Sequence, residues 1–134
     1  YEITCRDWSS DVCSSELRRD IWGYEQGAEL SQEDIIRERY KGIRPAPGYP
    51  ISPDHTEKQT IFGLLGAGHN TGIRLTESFM MQPVSSVCGL YFSHPQSVYF
   101  PVGKLLKDQV LDYKRRKGIS TEAAEKWLSH ILAY

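Results

Sequence analysis

The sequence predicts an α+β fold in which about three antiparallel strands are accompanied by about four helices. The helices are indicated by capping residues before, and glycines after, runs whose apolar side chains recur at helical spacing. The strands are indicated between residues 73 and 102, where β-branched and aromatic residues accumulate between short turn signals. Because strands joined by short turns pair side by side, the sheet is expected to be antiparallel.

Residues 1–16 differ from the rest of the chain, because isolated apolar residues lie there between two Ser-Ser pairs without a helical stripe. We predict an irregular tail. The run from Cys5 to Leu17 also resembles a translated sequencing adapter, which leads to the hypothesis that residues 1–16 are a sequence artefact. The fold is then assigned to residues 17–134.

The first predicted helix precedes a proline-rich segment. Ser31 is its expected N-cap, and Gly42 is expected to end it after Arg39 or Tyr40. Its buried face is assigned to three residues, Ile35, Ile36 and Tyr40.

Residues 44–50, Arg-Pro-Ala-Pro-Gly-Tyr-Pro, hold three of the seven prolines. Each proline fixes its own φ and biases the preceding residue toward extended geometry, so the segment is predicted to be a stiff, polyproline-like rod. Gly48 is the position where the backbone can take a positive φ or accept a close neighbour. The segment is either a surface turn between helices or a ligand cradle, with a guanidinium from Arg44 and an aromatic face from Tyr49.

The second predicted helix starts from Ser52 as N-cap and Pro53 at the first helical position, and stops at Gly66. Residues 66–72 are glycine-rich and lack the order of a phosphate loop, so we interpret them as a connector. His55 is interpreted as a solvated or capping side chain, because no other His or Cys stands at metal-ligand spacing. The inward stripe of this helix is assigned to Ile61, Leu64 and Leu65.

Three strands are predicted next, at residues 73–80, 84–92 and 98–102. Glu77 is placed at the rim of this sheet, and Cys88 is interpreted as a buried core thiol. Two helices then follow. One spans residues 104–117 before Gly118, with Leu106, Val110 and Tyr113 inside; the other runs from Ser120 to about Leu132, with Ala124, Trp127, Leu128 and Ile131 inside.

Composition excludes several classes of function. The 134 residues are 40% apolar and 25% charged with a net charge of −1, so bulk electrostatics favour neither nucleic acid nor a membrane as partner. We find no apolar run of the roughly 18 to 20 residues that cross a bilayer and no signal-peptide pattern. The three cysteines form no C-x-x-C pair, so no zinc site or disulfide framework is predicted, and free thiols suit the cytoplasm.

The residues indicate binding more than catalysis. No nucleophile-base pair, metal cluster or carboxylate pair has a recognisable spacing, so no catalytic or metal-binding residue is assigned. Arg44 suits a carboxylate, and Tyr49, Tyr99 and Phe100 suit an apolar or cationic group on the same small ligand. The alternative is a docking module for an acidic redox partner, through the rod or through the cations of residues 114–117, which are otherwise a solvated face.

Several long motifs then point to a family. They are Arg-Tyr-Lys-Gly-Ile-Arg-Pro-Ala-Pro-Gly-Tyr-Pro at 39–50, Pro-Asp-His-Thr-Glu-Lys at 53–58, Leu-Thr-Glu-Ser-Phe at 75–79, Gly-Leu-Tyr-Phe-Ser-His-Pro at 89–95, and Asp-Gln-Val at 108–110 with Arg-Lys-Gly at 116–118. In collinear order from about residue 17 onward, they closely resemble the C-terminal activation domain of cobalamin-dependent methionine synthase. The resemblance implies a bent antiparallel sheet flanked by helices.

The resemblance also implies a function as part of a methyltransferase. In that family the module binds S-adenosylmethionine, whose methyl group re-forms methylcobalamin after oxidation to cob(II)alamin, with an electron from flavodoxin or an equivalent reductase. The cobalamin is held by a module absent from this chain. By motif, the resemblance implies that Arg44 would bind the carboxylate of S-adenosylmethionine and that Ala46 would offer backbone contact. Gly48 and Tyr49 would complete the loop, and Tyr99 and Phe100 would be the aromatic pair that contacts the ligand.

Two departures from the family pattern stand out. The family module is more than twice as long as the matching part here, and Ser52 stands where many members have cysteine. A stand-alone activator of another corrinoid protein therefore remains an alternative.

Overall fold

The computed structural model describes residues 15–27 and 30–134, and within them the chain forms two compact units. The first contains the described residues up to Ile43 together with Tyr91–Val98, and the second contains Arg44–Leu90 and Tyr99–Tyr134. The mixed α+β class is confirmed, with two strands where about three were predicted. Of the predicted tail, residues 1–14 lie outside the described residues, and residues 15 and 16 are helical.

The helices and strands follow one another in a simple order. A π-type turn, Leu17–Ile21, precedes helices α1 (Gln32–Ile36), α2 (Glu57–Leu65) and α3 (Ala67–Thr71), strands β1 (Arg74–Leu75) and β2 (Met81–Gln82), helices α4 (Lys107–Lys117) and α5 (Thr121–Leu128), and a 3-10 turn, Ser129–Ile131. The two strands are antiparallel, with Arg74 opposite Gln82 and Leu75 opposite Met81. Among the described residues, no helix is long and apolar enough to cross a membrane.

The first unit is organised around a buried arginine. Arg18 is 2% exposed, donates from Nε to the Glu25 carboxylate at 2.5 Å, and lies 4.8 Å from the centroid of the Tyr40 ring. The second carboxylate oxygen of Glu25 accepts from the backbone N–H of Lys41 at 2.7 Å. A buried guanidinium is tolerated here because both its charge and its partner are hydrogen-bonded.

Helix α1 is shorter than predicted. Ser31 caps it, because its hydroxyl accepts from the Asp34 N–H and the Asp34 carboxylate accepts from the Ser31 N–H. The helix ends at Ile36, so the predicted extension to Tyr40 and the C-terminal role of Gly42 are wrong. The reason lies at Glu38, whose φ of 54° is left-handed and cannot continue a right-handed helix.

Helix α2 starts later than predicted. Residues 49–52 form a turn in which the Ser52 N–H donates to the Tyr49 carbonyl at 2.8 Å and the Ser52 carbonyl accepts from Gly48 N–H at 2.7 Å. Ser52 is thus held in the turn, and the prediction that it caps the helix is wrong. The helix begins at Glu57, where the Asp54 carboxylate accepts from the Thr56 N–H at 2.7 Å. Residues 66–72 are also more ordered than a connector, since they contain α3.

The predicted apolar stripe of α2 is wrong at two of its three residues. Leu64 is 83% exposed and Leu65 is 64% exposed. The face turned inward carries Lys58, which is buried, and the half-buried Ile61 and Phe62 at i+3 and i+4. The inner face is therefore shifted from the predicted stripe and shares only Ile61 with it.

Two of the three predicted strands are absent, and the proline-rich rod explains why. Leu90 N–H donates to the Pro45 carbonyl at 2.9 Å, and Val102 N–H donates to the Pro50 carbonyl at 2.8 Å. Proline has no N–H to return either bond, so each contact stays isolated and no ladder develops. The described residues 83–104 accordingly contain no strand. The first predicted strand is instead the β1–β2 hairpin, with Glu77 exposed in its turn.

The two C-terminal helices agree best with the sequence. Helix α4 ends at the left-handed Gly118, and α5 is capped by the Ser120 hydroxyl, which accepts from Ala123 N–H at 3.1 Å. The two helices pack against each other. They supply three of the most buried apolar residues of the second unit, Val110, Ala124 and Leu128.

Candidate functional site

The proline-rich segment, residues 44–50, lies in the second unit and is called the ligand loop below. Its N-terminal end is fixed by the Tyr99 hydroxyl, which accepts a hydrogen bond from the Arg44 backbone N–H at 2.8 Å. Its C-terminal end accepts from Val102 through the Pro50 carbonyl. The segment from Tyr99 to Val102 therefore runs beside the loop, which brings together two groups of residues that the sequence assigned to one site.

The middle of the loop rests on a histidine. Gly48 has a φ of +100°, and a Cβ built on it would lie 2.1 Å from Cε1 of His55. The interpretation of His55 as a solvated or capping residue is wrong, since its half-buried ring fills the space beside Gly48. Its Nδ1 lies 2.8 Å from Nζ of Lys58, which is 5% exposed. Nearby, Cys88 is half-buried, although the sequence placed it in a closed core.

Beyond the loop, five residues form what we call the Asp54 cluster. Lys117 Nζ donates to Asp54, to Thr56 and, at 2.7 Å, to Glu57, while the Tyr113 hydroxyl also donates to Asp54. Asp54 is 5% exposed, and about 60 residues of sequence separate it from its partners on α4. The cluster ties the segment that follows the loop to the C-terminal part of α4.

The charges of Asp54 and Lys117 are stabilised by their hydrogen bonds. Burial alone would raise the pKa of Asp54, but hydrogen bonds from Lys117, Tyr113 and Thr56 outweigh it and hold the pKa below its ordinary value. Burial acts to lower the pKa of Lys117, and its bonds to Asp54, Glu57 and Tyr113 raise the pKa instead. Asp54 and Lys117 are therefore an ion pair at neutral pH.

Lys117 also changes the interpretation of the cationic run at 114–117. Arg115 and Arg116 point outward and share the exposed Asp112 carboxylate at 2.5 and 2.9 Å. Lys117 points inward to the Asp54 cluster. These residues therefore form neither a uniform solvated face nor a uniform docking patch.

The remaining predicted binding residues lie on an open surface. Tyr49 is 65% exposed and Phe100 is 57% exposed, whereas Ala46 is half-buried. A cavity of about 670 Å³ opens beside the Asp54 cluster, and one of about 550 Å³ lies in the first unit at residues 23–26 and 39–41. Neither of these two cavities is lined by the ligand loop residues or by Tyr99 and Phe100.

The sequence analysis did not identify the residues that contact the loop at Gly48. His55 and Lys58 both lie in the motif at 53–58, and their spacing at i and i+3 places them on one helical face. That spacing is the signal that could have joined them. The partner of Asp54 on α4 could not be found from local spacing.

This chain resembles known proteins in both sequence and structure. A family model described as the activation domain of vitamin B12 dependent methionine synthase matches residues 9–118, which is more than half of the chain. The chain belongs to this family. The match begins inside the segment predicted as a tail.

A solved structure adds to the family assignment. The chain is 51% identical, with a TM-score of 0.87, to the protein in the crystal structure of the MetH reactivation domain bound to AdoHcy. The match covers 93% of this chain and 38% of that one, so the chain spans well under half the length of this activation-domain relative. The predicted membership of the family and the predicted α+β class are both confirmed.

Proposed function

We propose that this activation-domain chain binds S-adenosylmethionine at the ligand loop and serves the reactivation of cobalamin-dependent methionine synthase. One observation carries the proposal: the 51% identical relative with the same fold is a reactivation domain bound to AdoHcy. S-adenosylmethionine differs from that ligand by a methyl group and a positive charge on sulfur. The three prolines of the loop fix their own φ angles, which lowers the entropy lost when a ligand is bound.

The residues present fit such a ligand. Arg44 suits the carboxylate, because a planar guanidinium can donate two parallel hydrogen bonds. Ala46 and Gly48 offer backbone groups without a large side chain, and the exposed Tyr49 and Phe100 rings suit a sulfonium or an adenine. Tyr99 fixes the Arg44 backbone by its hydroxyl and completes the aromatic pair.

Within this proposal, the chain binds and orients the methyl donor. When bound, S-adenosylmethionine supplies the methyl group that re-forms methylcobalamin from the reduced corrin. We assign no catalytic residue to the chain itself. Its partners would be the cobalamin-binding module of the same enzyme and flavodoxin or an equivalent reductase, in the cytoplasm, with residues 17–134 as the C-terminal part of the activation domain.

Titration of the full-length natural protein that contains this chain tests the proposal. We expect S-adenosylmethionine and S-adenosylhomocysteine to bind, and Arg44→Ala to raise both dissociation constants about ten- to a hundredfold, since a charge-assisted hydrogen bond contributes roughly 1.5 to 3 kcal/mol. Reductive reactivation at low S-adenosylmethionine should weaken in parallel while ordinary turnover is unchanged.

Arg74→Ala is the matched control, because Arg74 is an exposed arginine on β1 of the same unit. It should leave both dissociation constants unchanged. Equal affinity of Arg44→Ala and the parent would reject the role of Arg44, and a parent that binds neither compound would reject the proposed function.

A further inference from the structure

The imidazole ring of His55 lies directly against the backbone of Gly48. The three ring atoms of His55 nearest to a Cβ built on Gly48 would lie only 2.1 to 2.7 Å from it, so the ring occupies the space that any side chain at position 48 would need. A left-handed φ at Gly48 adds a second reason for glycine. The backbone of the loop at this point therefore follows the position of the imidazole.

The imidazole is in turn fixed by Lys58. The ammonium group of Lys58 can only donate, so His55 Nδ1, 2.8 Å away, must accept and the ring proton must lie on Nε2. Lys58 is 5% exposed, and among the described residues it makes no ion pair with a carboxylate. A buried ammonium group needs a hydrogen-bond acceptor. In this contact, therefore, Lys58 donates and His55 accepts.

We propose that His55 is a positioning residue of the ligand loop: its neutral imidazole, oriented by Lys58, holds the backbone of Gly48 and Tyr49 in the conformation that binds the ligand. This inference rests on the proposed function, and it adds two residues that do not themselves touch the ligand. Protonation of His55 would remove the acceptor and place a second cation beside Lys58.

The surroundings of His55 favour the neutral ring. Burial, then the charges of Lys58 and His130, lower the pKa of His55, and Asp54 opposes them. Lys58 lies on α2, Asp54 in the segment before it, and His130 in the 3-10 turn after α5. Cys88 near Lys58 adds no negative charge, since burial raises the pKa of its thiol.

The sign of the pH dependence follows. The pKa of His55 is lower in the folded protein than the ordinary value of 6.5. The neutral ring is present above that value and is lost as pH falls through the lowered pKa. Ligand affinity should therefore fall in acid and be constant above neutrality.

The experiment uses the full-length natural protein and S-adenosylhomocysteine, which donates no methyl group. We expect His55→Ala to raise the dissociation constant about tenfold at about pH 7.5. Between about pH 7.5 and about pH 5, the parent should lose affinity only below about pH 6.5, as pH falls through the lowered pKa of His55. His55→Asn keeps a neutral oxygen acceptor near the position of Nδ1, so it should bind better than His55→Ala and lose the pH dependence.

Two control variants test whether other histidines account for the pH dependence. His69→Ala changes an exposed histidine on α3 and should bind as the parent does at both pH values. His130→Gln should retain the pH dependence, because the titrating group is His55. If the affinity of His55→Ala equals that of the parent, or if His55→Asn keeps the full pH dependence, the inference is overturned.

A ligand-independent signal separates this inference from the proposed function. The backbone amide resonance of Gly48 should shift with pH in the parent and not in His55→Asn. A parent that binds no ligand but shows this shift would reject the proposed function alone. A parent that binds ligand without the shift would reject the positioning role alone.

Discussion

The two ends of the ligand loop are held by different chemistry. At the N-terminal end, a neutral hydroxyl on Tyr99 accepts one hydrogen bond from the Arg44 backbone. Just beyond the C-terminal end, the nearly buried Asp54 carboxylate accepts from Lys117, Tyr113 and Thr56. Charge-assisted hydrogen bonds are roughly twice as strong as neutral ones. The contacts of Asp54 are therefore expected to contribute more to stability than the hydrogen bond between Arg44 and Tyr99.

The largest expected effect is at Asp54. Asp54→Ala removes the main partner of Lys117, whose side chain is only 21% exposed, and should lower the free energy of unfolding by about 2 to 3 kcal/mol. Denaturant unfolding of parent and variant measures the loss. Glu57 still accepts from Lys117, which keeps the cost below that of a fully unpaired buried charge.

Asp112→Ala is the matched control for this comparison. Asp112 also contacts two cations, Arg115 and Arg116, but on an exposed surface. Exposed ion pairs contribute about 0 to 1 kcal/mol, so the control should lose far less stability than Asp54→Ala. Equal losses for the two variants would show that burial does not distinguish the clusters and would break the comparison.

The middle of the loop gives the next largest effect. Gly48→Ala places a Cβ against the His55 ring at a left-handed φ, and should cost about 2 kcal/mol of stability. Gly63→Ala is the control, since nothing lies within 4 Å of its Cβ position in α2 and alanine is the better helix former. Denaturant unfolding should show opposite signs for the two variants.

The His55 contact accounts for only part of this cost. In Gly48→Ala/His55→Ala the clash with the ring is removed while the unfavourable φ remains. The double variant should therefore lose less stability than the sum of the two single variants. Strict additivity would mean that the ring and Gly48 do not meet.

Sequence reasoning found the features that depend on neighbouring residues. The caps at Ser31 and Ser120 and the glycine ends of α2 and α4 follow from residues within one turn of each other. These signals are local, and the structure agrees with them. The family motifs point to the candidate site, which stays a prediction.

What the sequence could not supply depends on distant partners. The strands predicted at 84–92 and 98–102 fail because their neighbours are proline carbonyls about 45 to 52 residues away, as in the Leu90 and Val102 contacts. The inward side of α2 is set by the buried Lys58 and its neighbours, so the apolar stripe was wrong at Leu64 and Leu65. Asp54 and Lys117 are 63 residues apart in the sequence, and no local spacing pattern predicts their contact.

The smallest expected effect is at Tyr99, beside the N-terminal end of the loop. Tyr99→Phe keeps the ring and removes the hydroxyl that accepts from the Arg44 N–H, so stability should fall by about 1 kcal/mol. The ligand loop would then be less constrained at Arg44, so affinity for S-adenosylhomocysteine should also fall. The control is Tyr91→Phe, because Tyr91 is a half-buried tyrosine of the first unit, and this variant should lose less affinity. Unfolding and calorimetric titration measure the two quantities separately. A stability loss as large as that of Asp54→Ala would mean that the neutral contact at Tyr99 and the charged contacts at Asp54 stabilise the fold equally, and the comparison would fail.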